Sequence, residues 1–369
     1  MNPIPYLDLS RARKAIEAEL FERWHQIADA NAFILGPEVK QLESAFAAFL
    51  GAGAVVGVAN GTDALVVALR ALGLEPGDEV LVPAFSFFAT AEAVVLAGGR
   101  PVFCDIEPAT YNLDPAELER RATPRTRGVI GVHLYGRPFD ADPIAGFCRA
   151  RGLFLLEDSA QAHGAKYRGR RVGTLGDLSA WSVYPTKNLG AFGDAGAVSG
   201  MDVDLMQRVF RVANHGQTSR YHHVEIGTNS RLDSLQAAVL NLRLRTLDAD
   251  NAARRRLAAI YHEGLAGVGD LRFPRDRPDD EPVFHQMTIA TARRDELQKF
   301  LAERGVGSSV HYPAPLHRLP AVAALLPAPP SLPHAERAAT EVLCLPMFAE
   351  LTESEAAGAV AAVRAFYGA

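Results

Sequence analysis

Lysine is scarce in this chain. It occurs at positions 14, 40, 166, 187 and 299 and makes up only five of the 38 basic residues; arginine supplies the rest. Cysteine is scarce too. Cys104, Cys148 and Cys344 are odd in number and far apart, which excludes a disulfide framework and zinc-ligand spacing and predicts buried, reduced thiols. No apolar run reaches the ~18 residues that a membrane span needs. The first twenty residues carry prolines and charges where a signal peptide has an apolar centre, so the expectation is a soluble, cytoplasmic protein. The GxGxxG, P-loop, GxSxG and HExxH patterns are all missing. That counts against a dinucleotide cofactor, a phosphate-cradling P-loop, a serine-hydrolase elbow and a metal centre. A net charge of −5 without a dominant basic patch argues against nucleic acid as a partner.

What remains is an ordinary globular balance, 48% apolar and 22% charged, over 369 residues. That length suits one large and one smaller domain. From about residue 54 to 200, short apolar runs alternate with helical segments: AVVGVA, EVLVPA, PVFCDI, GVIGVHLYG and LFLLED. In TDALVVALRAL, Leu65, Ala68, Leu69 and Leu72 fall at i, i+3, i+4 and i+7 and mark one helix face. Strands apolar throughout and separated by helices predict a parallel sheet covered on both faces, with SAWSVYP and GAVSG as further strands. Beyond 200 the pattern predicts a helix over 202–213, a polar loop over 214–231 and one long helix over 231–265. A strand in FHQMTIA, a helix in RRDELQKFLAERG, a proline-rich span with a surface connection at 321–330, and two terminal helices complete a smaller α+β domain. The predicted division is 1–250 and 251–369. A structureless loop as long as 214–231 is uncommon in a compact domain and is more often functional than idle.

Against this background Lys187 stands out, at the end of the apolar strand WSVYPTK and before a glycine-rich turn. A desolvated lysine is held partly neutral and nucleophilic, ready to condense with a carbonyl. Asp158 ends the apolar strand LFLLED, 29 residues earlier, which allows one crossover and puts both residues at the end of the sheet where open α/β folds bind ligands. An aspartate there suits the ring nitrogen of pyridoxal phosphate, the pairing that makes this cofactor an electron sink. Asn60-Gly61-Thr62-Asp63 lies at a strand-to-helix corner suited to an anion, although Thr62 taken alone is better explained as a helix cap. Of Phe85, Phe87 and Phe88, any one suits stacking on a flat ring, and any one suits the core. Gln161 and Ser182 offer polar contacts, or simply face solvent. His133, His163, His215 and His311 are candidates for substrate contact or proton transfer, each set against an ordinary packed or capped histidine.

Taken in order, IPYLDL, ILGPEV, NGTDAL, PGDEVLVPAFSFFATA, PVFCDIEPATYNLDP, VHLYG, EDSAQAHGA, GDLSAWSVYPTKNLGAFGDAG, NHG, NSRLDSLQAAVL and HYPAPLH strongly resemble the DegT/DnrJ/EryC1/StrS family of pyridoxal phosphate-dependent nucleotide-sugar aminotransferases. The resemblance implies an α/β, fold-type I architecture: a mostly parallel seven-stranded sheet between helices, plus a smaller C-terminal α+β domain. It implies that Lys187 holds the cofactor covalently and later shuttles the proton, that Asp158 pairs with the ring nitrogen and Gln161 with the ring hydroxyl, and that Phe87 stacks on the ring. Gly61, Thr62 and Ser182 correspond to phosphate ligands, and Asn229 to one reaching over from the neighbouring subunit of a homodimer. His163, His215, His311 and Tyr312 are the implied substrate residues.

The implied reaction moves an amino group from glutamate to a nucleotide-diphosphate-linked keto sugar. HYPAPLH favours C3 over the alternatives, C4 or a cyclitol. A non-catalytic, regulatory pyridoxal phosphate protein is the alternative of another class; retention of Lys187 and Asp158 speaks against it. Ala195, Thr228 and Met287 depart from the family pattern, the first read as structural and the other two as neighbours of the substrate pocket.

Overall fold

The computed structural model describes residues 3–325 and 328–369. Its centre is a seven-stranded sheet: β1 (Ala54–Val58), β2 (Glu79–Pro83), β3 (Arg100–Cys104), β4 (Thr126–Val132), β5 (Phe154–Asp158), β6 (Leu178–Ser182) and β7 (Gly196–Gly200), ordered β1-β7-β6-β5-β4-β2-β3. All pairs are parallel except those of β7, which runs antiparallel to both β6 and β1. Apart from Arg100 at the start of β3 and Arg127 near the start of β4, both exposed, the strands are buried or nearly so along their length, as strands covered on both faces must be. The expected sheet and crossover helices are all present. The C-terminal ends of β1, β2, β4, β5 and β6 share one edge, and the antiparallel β7 brings its N-terminal end to that same edge.

The free edge of β1 is blunted by side chains. Glu43 Oε1 accepts from the Gly57 N–H at 2.9 Å, and Ser230 Oγ accepts from the Ala59 N–H at 3.0 Å.

A second core gathers around an antiparallel pair, Met287–Ala290 with Val342–Leu345, packed against helices Leu247–Leu265, Arg294–Glu303 and Glu353–Tyr367. Ile4 joins this core and pairs with Val306. Val342–Leu345 lies between the two terminal helices and was not expected from the sequence. Two further departures concern helices. The single helix expected over 231–265 is broken at Arg245–Thr246 into Ser234–Leu244 and Leu247–Leu265. Thr246 turns its hydroxyl onto the Arg243 carbonyl (3.3 Å) and onto Asp250 (3.0 Å), and the two halves then serve different cores. The loop over 214–231 carries a small hairpin, Gln217–Ser219 with His222–His223. In the connection expected at 321–330, Pro320–Ala323 forms a short helix, and Leu326 and Pro327 lie outside the described residues.

Among the described residues no helix is long and apolar enough to cross a membrane, and no group of histidine, cysteine, aspartate and glutamate is arranged to hold a metal.

Candidate active site

A cavity of about 420 Å³ opens at the shared strand edge. Lys187, Asp158, Gly61, Thr62, Phe87, Gln161, Ser182, His311 and Tyr312 all line it. The strand ends deliver them. β6 runs out through Ser182 to Lys187, β5 ends on Asp158, and β1 turns through Asn60 into the helix Gly61–Ala71.

The corner after β1 shows why glycine is needed there. A Cβ on Gly61 would sit 2.5 Å from Ser182 Cβ, so only glycine lets the helix start lie against β6. The cap of this helix is Asn60, whose side chain accepts from the Asp63 N–H at 2.8 Å. Thr62 is therefore not the cap, contrary to one of the two sequence readings. Its hydroxyl, with the first-turn N–H groups of Gly61 and Thr62 that have no intrahelical carbonyl, is left for an anion in the cavity.

Asp158 is almost fully buried. Its Oδ2 accepts from the Thr90 hydroxyl at 2.8 Å, and its Oδ1 accepts from the Ala160 N–H at 3.3 Å. Burial raises its pKa above the usual aspartate value, opposed by those two donors and by the charges of Lys187 and His133. The same burial pushes the Lys187 ammonium down to about 8, against the pull of Asp158. Gln161 Oε1 is taken by the Tyr135 N–H at 2.7 Å, a donor that fixes the amide's orientation; its NH₂ turns inward and reaches the Tyr312 hydroxyl at 3.1 Å. Of the three phenylalanines only Phe87 lines the cavity. It is 56% exposed, whereas Phe85 is buried at 1%.

Several lining residues were not singled out from the sequence: Ser86, Tyr184, Asp194, His285 and Gln286. Asn188 Nδ2 donates to Asn251 Oδ1 and to the Val283 carbonyl, each at 3.0 Å. Asn188 Oδ1 must then accept, and His285 Nδ1 donates to it at 3.1 Å. Burial first, then the charges of Lys187 and Arg254, hold His285 neutral. His311 is likewise pushed down, to about 4, by burial and by Lys187.

Three expected residues lie outside the cavity of their own chain. His163 is fully buried with its ring 5.1 Å from that of Trp181, and burial carries its pKa down to about 3, so it serves packing rather than substrate. His215 and Asn229 are exposed; Asn229 is bridged to Asn214. His133 is also buried, stacked on Phe139 and bonded to Glu157 at 3.0 Å. Of the departures from the family pattern, Ala195 is buried in the core while also lining the cavity, and Met287 is buried in the second core directly after the cavity-lining Gln286.

Comparison with known proteins defines the class. The chain is 45% identical over 361 residues, 98% of its length and 95% of the relative's, to dTDP-3-amino-3,4,6-trideoxy-α-D-glucose transaminase of Streptomyces venezuelae. It is 44% identical to a pleiotropic regulatory protein of Geobacillus stearothermophilus, covering 99% of this chain and 98% of that protein. The crystal structure of S. venezuelae DesV in complex with a ketimine intermediate superposes with a TM-score of 0.97 at 44% identity, covering 100% of both chains. The architecture is that of the fold-type I aminotransferases, and the chemistry is that of pyridoxal phosphate. Residues 14–364 match the DegT/DnrJ/EryC1/StrS aminotransferase family, and the chain belongs to it.

Proposed function

We propose that this enzyme transfers an amino group from glutamate to C3 of a nucleotide-diphosphate-linked keto sugar, and that Lys187, Asp158, Gly61, Thr62, Phe87, Gln161 and Ser182 form its cofactor shell. The observation that carries the reading is the single cavity in which a desolvated amine and a buried carboxylate meet beside a helix start with unused N–H groups.

These residues fit pyridoxal phosphate by chemistry. The cofactor supplies an electrophilic aldehyde and an electron-withdrawing ring. Lys187 presents a partly neutral amine that would hold the aldehyde carbon and, when free, would serve as the acid–base group for the amino donor's α-proton. Asp158 would keep a ring nitrogen protonated, Gln161 would donate to a ring hydroxyl through its NH₂, and Phe87 would offer a face for the ring. Gly61, Thr62 and Ser182 receive the phosphate. The sugar lies toward His311 and Tyr312. C3 is supported by HYPAPLH and by the Streptomyces relative, which is named for a 3-amino sugar.

The homodimer belongs to the same reading. Among the described residues Lys187 is the only lysine or arginine lining the cavity, although phosphate, diphosphate and carboxylate groups must all be held there. Asn229 and His215 belong to an arm whose Tyr221 and Ile226 are 79% and 91% exposed and whose Arg220 stacks on Tyr221 at 5.0 Å. Inserted into a second copy, that arm would supply the missing polar and cationic contacts. A cytoplasmic location accords with three cysteines that are all buried and unpaired.

The test is direct. Lys187→Ala should bind pyridoxal phosphate without a borohydride-trappable bond and turn over nothing. Wild-type enzyme given glutamate and a panel of nucleotide-linked 3-keto and 4-keto sugars should aminate the 3-keto members, as read by NMR. Activity in the variant, or a purely 4-amino product, would refute the corresponding part.

A further inference from the structure

Thr90 lies in the first turn of the helix Ala89–Leu96 and is fully buried. A threonine there ordinarily turns its hydroxyl to its own helix's backbone. This one instead reaches a residue 68 positions away, Asp158 Oδ2, at 2.8 Å. Its oxygen is also 2.9 Å from Ser86 Oγ, and Ser86 is itself nearly buried while lining the cavity. An ionised carboxylate only accepts hydrogen bonds, so Thr90 donates to Asp158 and Ser86 donates to Thr90. The chain of donors has one direction: from the cavity wall, through Ser86 and Thr90, to the carboxylate.

We propose that Thr90, backed by Ser86, is a positioning residue that keeps Asp158 ionised and aims its other oxygen into the cavity; this rests on the reading of Asp158 as the partner of the cofactor's ring nitrogen. Among the described residues no lysine, arginine or histidine forms an ion pair with Asp158, whose Oδ2 accepts from Thr90. The charged or titratable groups that face the carboxylate are Lys187, His133 and Tyr312, and burial is the force that opposes its ionisation. A neutral donor suits this position. It stabilises the anion without supplying a competing positive charge that would displace a protonated ring nitrogen. Unlike a lysine or arginine, it cannot neutralise the carboxylate that the ring nitrogen needs.

Four variants test the proposal: Thr90→Val, Thr90→Ser, Ser86→Ala and Asp158→Asn. Two readouts are taken, pyridoxal phosphate retention on dialysis of the holoenzyme, and thermal stability of the apoprotein as a function of pH. Loss of a buried hydrogen bond to a charge should weaken cofactor retention about tenfold in Thr90→Val. For the apoprotein, an aspartate whose folded pKa is raised binds extra protons in the folded state. Stability therefore falls as pH rises above the ordinary aspartate value, and removing the Thr90 donor should steepen that fall. Thr90→Ser should restore both values, and Ser86→Ala should shift both in the same direction by less.

If Thr90→Val matches wild type while Asp158→Asn is impaired, the positioning role is overturned and the ring-nitrogen reading stands. If Asp158→Asn itself matches wild type, both fall. A pH-independent loss in Thr90→Val, or a failure of serine to rescue, would mark Thr90 as mere packing and overturn the proposal. Should Thr90→Val not fold, wild-type values for Ser86→Ala would overturn it equally.

Discussion

At the scale of single residues, Lys187 and Asp158 illustrate one force acting in opposite directions on two charges. Burial disfavours the ammonium and the carboxylate alike, and each partly restores the other. The Lys187 ammonium, pushed down to about 8, has a usable neutral fraction near neutrality, where an exposed lysine has almost none. Covalent capture of pyridoxal phosphate by the apoenzyme should accordingly accelerate with pH through a midpoint near 8, followed by absorbance in stopped flow. A midpoint above pH 10, typical of exposed lysine, would remove the argument for a desolvated amine. Asp158→Asn should fold but lose cofactor retention and turnover together, by an order of magnitude or more; a wild-type rate would count against its role.

Both residues were legible because the motif around each is local: Asp158 ends β5, and Lys187 lies in the turn five residues beyond the end of β6 at Ser182, not at the strand end expected from the sequence. Thr90 was not legible, since its bond crosses from one strand–helix junction to another. His163 was misread. Five residues after Asp158 the chain has already turned back, and the ring lies against Trp181 rather than in the cavity.

At the scale of elements, the corner between β1 and the helix Gly61–Ala71 decides whether an anion can be held. Asn60 caps the helix and Gly61 permits contact with Ser182, so hydroxyl and N–H groups converge from two elements. Gly61→Ala should leave the circular-dichroism spectrum unchanged yet reduce affinity for pyridoxal phosphate tenfold or more by titration, because its Cβ must displace either β6 or the helix start. Asn60→Ala should lower stability by about 1 kcal/mol in denaturant melts, the usual cost of a lost cap.

Element types followed from periodicity, but two boundaries did not. The helical pattern of 231–265 is continuous, and only the demand that its halves pack on different cores explains the break at Thr246. Val342–Leu345 is four apolar residues between helices, too short for period alone to separate from a helix end, and its pairing partner Met287–Ala290 is remote in sequence.

At the scale of the whole molecule, the proposal open to test is that the exposed arm around Tyr221 and Ile226 completes the site of a second copy. Mixing two inactive variants tests this. Lys187→Ala and Asn229→Ala subunits, co-refolded, should recover activity, because one site of each mixed dimer has an intact lysine and an intact partner arm. Activity no higher than the sum of the separate variants, with mixed dimers verified by mass spectrometry, would rule out sharing.

The sequence alone determined the strand–helix alternation, the parallel character of the sheet and the identity of the amine and carboxylate at its edge. These rest on short-range pattern: apolar runs of strand length, turns between them, and chemistry placed where strands end. Tertiary structure decided which phenylalanine faces the cavity, which residue caps the first helix, which histidines are buried, and which hydroxyl holds Asp158. Each of those depends on the packing of segments far apart in the chain, and burial and hydrogen-bond partners exist only once those segments meet.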